Sequence, residues 1–193
     1  MPSPIAVAPP GTKAEILAEM VRIERECDGF WNAFPIDAFL SPIGTAWSPA
    51  DNVRHLLKSV RPVTLALRLP RFVLAVLFGR AQRASRSYDE LRREYRAALD
   101  AGATAGGRFR PAPLIVSGDR EAWRQGLMTE RERTGVALRS AIAPWSEKDL
   151  DTYRLPHPLI GKLTLREMLF FSLLHGVHHV DNVIRRQAEA ARG

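Results

Sequence analysis

Thr164-Leu-Arg-Glu167-Met-Leu-Phe-Phe-Ser-Leu-Leu-His175-Gly-Val-His178-His179 is the stretch that decides the fold. It opens on a capping box, in which the threonine and the glutamate three residues later satisfy each other's backbone donors. Met168, Leu169, Leu173, Val177, Val180 and Ile184 then recur at the three- and four-residue steps of an amphipathic helix. The helix ends in the polar run Arg185 to Gly193. His175 and His179 are four apart on it, so their rings stack on one face about 5–6 Å apart at Cβ and can share a metal ion. Met168 and Phe171 flank them, so the face points inward, where two neutral imidazoles need hydrogen-bond partners or a metal. His178 projects about 60° to one side of His175, as suits a supporting or surface position. Paired histidines also occur as hydrogen-bonded core residues, and the pair alone does not separate the two cases.

Working outward, three more long helices are expected. Thr12-Lys-Ala-Glu15 has capping-box spacing, followed by Ile16, Met20, Ile23, Cys27 and Trp31 on one stripe. Cys27 falls on that stripe and reads as a small buried hydrophobe. Pro35 to Thr45 reads as a loop, and Ser48-Pro49 then gives an N-cap with proline at the first helical position. The helix it starts carries Val53, Leu56, Leu57, Val60 and Val63, and Pro62 is expected to kink or stop it near Lys58 to Arg61. His55 precedes that point. A further helix from Ser117 or Asp119 to about Ile142 offers Trp123, Leu127, Val136, Leu138 and Ile142 to the core, and Pro144 ends it.

Leu69 to Pro113 looks like an inserted helical segment: an apolar, basic stretch, a helix opened by Ser87-Tyr-Asp-Glu90, and a Gly/Pro-rich loop. Leu155-Pro-His-Pro-Leu is expected to be a turn-rich link. No convincing strand pattern appears, and the class is all-α, a four-helix bundle in one domain from residue 12 to 193. Residues 1–11, with four prolines, read as a mobile leader.

The 193 residues, 46% of them apolar, suffice for one core, and the single cysteine excludes an intrachain disulfide. With neither a secretory signal nor an apolar run near 20 residues, the chain is expected to be cytoplasmic, without a membrane partner. The net charge of +7 is nearly all arginine, since only Lys13, Lys58, Lys148 and Lys162 are lysines. It is spread along the chain beside acids, no nucleic-acid motif accompanies it, and no nucleic-acid partner is expected.

Trp47-Ser-Pro-Ala-Asp-Asn-Val-Arg-His55-Leu resembles the second-helix motif of DinB-like proteins. His157-Pro158, Leu163-Thr164, Glu167 and His175-Gly-Val-His178-His179 resemble their C-terminal motif. The resemblance runs from about Trp47 to Arg186, with Leu69 to Pro113 unanchored. It implies a four-helix bundle in which three histidines, here His55, His175 and His179, hold a divalent metal. Where the family often has Gln three residues after its last ligand histidine, this chain has the shorter Asn182.

Imidazole donors favour Zn, Ni, Fe or Cu over Mg or Ca, with zinc or nickel leading, and three of them leave a position for water or a thiolate. Two reactions follow: hydrolysis by a metal-bound hydroxide, or transfer of an activated thiol to an electrophile. The resemblance implies the second, a metal-dependent S-transferase using a low-molecular-weight thiol on a small-molecule substrate. A hydrolase and a non-catalytic metal-binding protein are the alternatives. The zincin pattern is absent, because Gly176 stands where His-Glu-x-x-His has its glutamate. Asp51, Asp181, His178 and Asn182 are candidates for supporting roles behind the ligands, with Asp51 or Asp181 as a proton acceptor, although Asp51 also sits where a carboxylate aids the helix dipole. Arg80 to Arg110 is a candidate holder of an anionic thiol, and pairing of exposed helix faces into a homodimer is left open.

Overall fold

A computed structural model describes residues 5–104 and 106–192, apart from the side chain of Arg108. Four long helices form the bundle: α1 (Lys13–Asn32), α3 (Pro49–Leu67), α6 (Arg120–Ile142) and α8 (Leu165–Ala190). Helix α1 lies along α8 and α3 along α6, while α3 also meets α8 and α1 meets α6. Short α2 (Ile36–Leu40) and α7 (Glu147–Thr152) connect them, and α4 (Arg71–Phe78) and α5 (Tyr88–Asp100) form the inserted segment.

The capping boxes set the helix starts. Thr12, Ser87 and Thr164 each accept from the backbone N–H of the third helical residue, whose glutamate accepts from the cap residue's N–H. Ser48 caps α3 and Pro49 occupies its first turn, where a missing N–H costs nothing. The α1 stripe of Ile16, Met20, Ile23, Cys27 and Trp31 is buried throughout. On α8, Met168, Leu169, Leu173 and Val180 are buried and Val177 and Ile184 half-buried. Each large side chain taken out of water contributes about 1.5–3 kcal/mol before entropy is counted.

Four local expectations are corrected. Pro62 does not stop α3, which continues to Leu67. Thr64 and Leu67 are buried beyond it, Thr64 Oγ1 donates to the Val60 carbonyl, and the Trp145 indole donates to the Leu67 carbonyl, so packing outweighs the lost bond. The 35–45 loop contains α2, held by the buried ring of Phe39. Val136 is exposed, because α6 turns Gly135, Leu138, Ala141 and Ile142 inward; a Cβ on Gly135 would fall 2.7 Å from the Glu24 carboxylate of α1. Trp123 and Leu127 are half-buried. Finally, the link at 155–159 belongs to an antiparallel hairpin, β1 (Arg154–His157) with β2 (Gly161–Thr164), in which Leu155 faces Leu163. His157 Nδ1 accepts from the N–H groups of Leu159 and Ile160 and so organises its turn.

The mobile leader expected for 1–11 falls partly outside the described residues. From Ile5 onward the chain lies on α1: Ile5 is buried, Ala8 N–H donates to Glu19 Oε1 at 2.8 Å, and Arg22 donates to the Ala6 carbonyl. In the inserted segment, α5 packs on α8 with Tyr88, Leu91 and Tyr95 buried, and α4 lies against the hairpin. A 3-10 turn at Gly107–Phe109 follows and rests on α3.

Candidate metal centre

Helices α3 and α8 meet where His55 faces His175 and His179. His55 Nε2 lies 3.1 Å from His175 Nε2, which lies 3.0 Å from His179 Nε2. All three residues are buried, and together they form a group able to hold a metal ion. The sequence motifs thus mark residues that the fold brings together from 120 positions apart.

The hydrogen bonds behind the rings fix which nitrogen faces inward. His55 Nδ1 lies 2.8 Å from the Phe109 carbonyl, which can only accept, so Nδ1 carries the proton and Nε2 the lone pair. His179 Nδ1 lies 2.6 Å from Asn52 Oδ1. The Asn52 orientation is set in turn, because its Nδ2 donates to the Ser48 carbonyl at 2.8 Å. His179 therefore also presents an Nε2 lone pair. Without an ion, two lone pairs would compete for the single proton His175 Nε2 can supply, which leaves a buried acceptor underpaired. A tetrahedral ion with bonds of about 2.0–2.1 Å holds its nitrogen ligands about 3.3 Å apart, close to the observed spacing. The donor set fits a transition metal.

The electrostatics agree. Burial lowers the pKa of His55, partly offset by the Phe109 carbonyl, and burial with the neighbouring imidazoles holds His175 and His179 well below the usual histidine range. All three are neutral at pH 7, the form that coordinates. Trp47 covers the site, its ring parallel to His179 and 5.1 Å between centroids from His55, while Phe171 stacks on His175 at 4.8 Å.

The other sequence candidates occupy different places. Asp51 accepts from the Ser48 hydroxyl and from Arg54 and so serves the start of α3. His178 lies beside the triad and outside it, half-buried, its ring edge-on to Tyr95 and to His179; burial pushes its pKa down to about 4. Asn182 Oδ1 accepts from Arg185. The amide that reaches a triad imidazole is Asn52, which the sequence reading passed over although it lies one turn before His55. Phe109 was missed as well, since a backbone carbonyl leaves no mark in a sequence. Within the basic segment, Arg83 and Arg86 are committed to Glu167 and Arg80 lies over the Tyr153 ring.

A helical bundle with three inward histidines at one level defines the class as a bundle able to hold a metal ion. The sequence profile of the DinB superfamily matches residues 19–181, and the chain belongs to that superfamily. No curated protein sequence matches the chain. Among solved structures, the chain is similar to YfiT from Bacillus subtilis, described as a probable metal-dependent hydrolase with an unusual four-helix bundle topology. That likeness has a TM-score of 0.51 at 13% identity, covering 98% of this chain and 95% of YfiT, and shows the shared fold.

Proposed function

We propose that His55, His175 and His179 bind a divalent transition metal, zinc or nickel, and that the protein is a metal-dependent transferase activating a low-molecular-weight thiol toward a small electrophile. The observation that carries the proposal is the convergence of three Nε2 atoms, those of His55 and His179 turned inward by the hydrogen bonds of their Nδ1 atoms to Phe109 and Asn52. Three neutral ligands would leave the full double charge on the ion and a position for a thiol or water. When bound, the metal supplies Lewis-acid chemistry that lowers the pKa of a thiol or a water.

The choice of thiol over water rests on what surrounds the triad. The group able to hold the ion contains histidines alone, and Asp51 is spent on Ser48 and Arg54. A thiol that ionises near pH 8.5 when free would be fully a thiolate on a metal at pH 7, whereas water, near 15.7 when free, would be brought only to about 7, where a general base still assists. The protein's part is then to hold His55 and His179 with their Nε2 lone pairs toward His175, to shield the site with Trp47 and Phe171, and to admit the electrophile. A cytoplasmic setting, where thiols stay reduced, suits the unpaired Cys27.

A hydrolase is the second reading, favoured by the description of YfiT. One experiment separates the two: a panel of epoxides, alkyl halides and esters, each incubated with metal-loaded protein with and without cellular thiols. Turnover that needs both metal and thiol supports the transferase. Turnover with metal alone assigns the hydrolase, and no rate in any pairing overturns both.

A further inference from the structure

Helix α4 turns apolar residues outward as well as inward. Phe72 is 70% exposed, Val76 81% and Leu77 57%, and Leu65 at the end of α3 is 65% exposed. Phe72 and Val76 are four apart and stand one above the other on the outer face, while Leu74 is buried and holds the helix to the body. Exposed apolar groups clustered in this way mark a contact surface.

The charge around the cluster identifies what it contacts. Between Asp51 and Asp89 the chain has no acidic residue and carries seven arginines and one lysine. Several are paired elsewhere: Arg61 with Glu130, Arg71 with Asp149, and Arg83 and Arg86 with Glu167. Exposed Arg68 and Arg80 stand at the two ends of α4, Arg80 with its guanidinium over the Tyr153 ring. Lys162 and Arg154 reach the same end as Arg80, donating to the Phe78 carbonyl at 3.1 Å and 3.5 Å. We propose that α4 is a peripheral docking surface for an anionic lipid bilayer, with Phe72, Val76 and Leu77 entering the headgroup region and Arg68, Arg80 and Lys162 meeting the headgroups.

The shape and charge argue against other occupants. Helical peptides dock into concave grooves, whereas Phe72, Val76 and Leu77 protrude. A second copy related by a two-fold axis would bring arginine ends together at a cost. Among the described residues no helix is long and apolar enough to cross a membrane, so the contact is with the surface only. The patch lies beside the hairpin that leads into α8, and His175 is about 15 Å further along that helix, so lipid binding and metal binding are independently testable.

The test is cosedimentation of the full chain with vesicles of phosphatidylcholine alone or with about 30% phosphatidylserine, at about 50 mM and about 500 mM salt. The wild type is expected to partition at least tenfold more onto the anionic vesicles at low salt and to be released at high salt, on the order of what a few basic residues provide. Phe72→Ser with Val76→Ser is expected to reduce binding about tenfold, and Arg68→Glu with Arg80→Glu to abolish the preference for anionic lipid. Both pairs lie on the surface and should leave the metal content unchanged. Three results overturn the proposal: no binding to anionic vesicles at low salt, binding that the Phe72/Val76 variant retains, or a dimer in light scattering that the same variant dissociates.

Discussion

Replacing Glu167 with glutamine tests how the N-terminus of α8, and with it the placement of His175 and His179, is held. The Glu167 carboxylate is fully buried. It accepts from Arg83 at 2.5 Å and 3.0 Å, from the Arg86 backbone N–H at 2.7 Å and its guanidinium at 3.1 Å, and from Thr164 N–H at 3.0 Å. Burial pushes its pKa up, but Arg83, Arg86 and the two backbone donors outweigh it and hold the group down at about 2, against an ordinary 4.5. At about 1.4 kcal/mol per pH unit the difference stabilises the folded chain by about 3 kcal/mol at pH 7. Because the folded pKa is depressed, this contribution is complete above pH 4.5 and is lost as pH falls toward 2; it should be roughly 2 kcal/mol at pH 3.5. Arg83 is 47% exposed and keeps part of its hydration, so Glu167→Gln is expected to cost about 2–3 kcal/mol in urea unfolding at pH 7. The gap from wild type should narrow below pH 4.5. A gap under about 0.5 kcal/mol at pH 7, or one that does not shrink in acid, would refute the reasoning.

Other outcomes follow from the same contacts. Asn52→Leu removes the oxygen that orients His179 and should weaken metal binding about 10- to 100-fold, while Asn52→Asp, which keeps an acceptor, should retain more; competition with a chelator measures both. His157 is buried and its pKa is pushed down to about 4, so the unfolded chain binds a proton that the folded one refuses between pH 6.5 and 4. Wild-type Tm should therefore fall across that window, and His157→Gln should flatten the slope while leaving metal content intact. His178→Ala should likewise keep its metal, because the ring faces Tyr95 and lies outside the triad; loss of metal in that variant would place it among the ligands.

What the sequence made legible was whatever repeats at helical spacing or sits at a cap. The burial of Ile16, Met20, Ile23, Cys27 and Trp31, and the caps at Thr12, Ser48, Ser87 and Thr164, followed from local rules that the tertiary structure obeys. The hairpin at 154–164 did not, since four-residue strands containing Pro156 carry too little alternation to register. The run of α3 past Pro62 was not legible, because propensity is a weak term where Thr64 and Leu67 pack beyond it. At the centre, the ligand-type residues were readable and their supports were not. Phe109 acts through its carbonyl from a segment without a motif, and Asn52 is distinguished from Asp51 only by the face of α3 it occupies.

The most direct test is the metal content of purified wild type and of His55→Ala, His175→Ala and His179→Ala, measured by mass spectrometry after equilibration with zinc or nickel and removal of loosely bound ions. Wild type is predicted to retain about one ion per chain and each variant a small fraction of that, with the variants still helical by circular dichroism. Wild type that retains no ion, or variants that keep the full complement, would contradict a metal centre at the junction of α3 and α8.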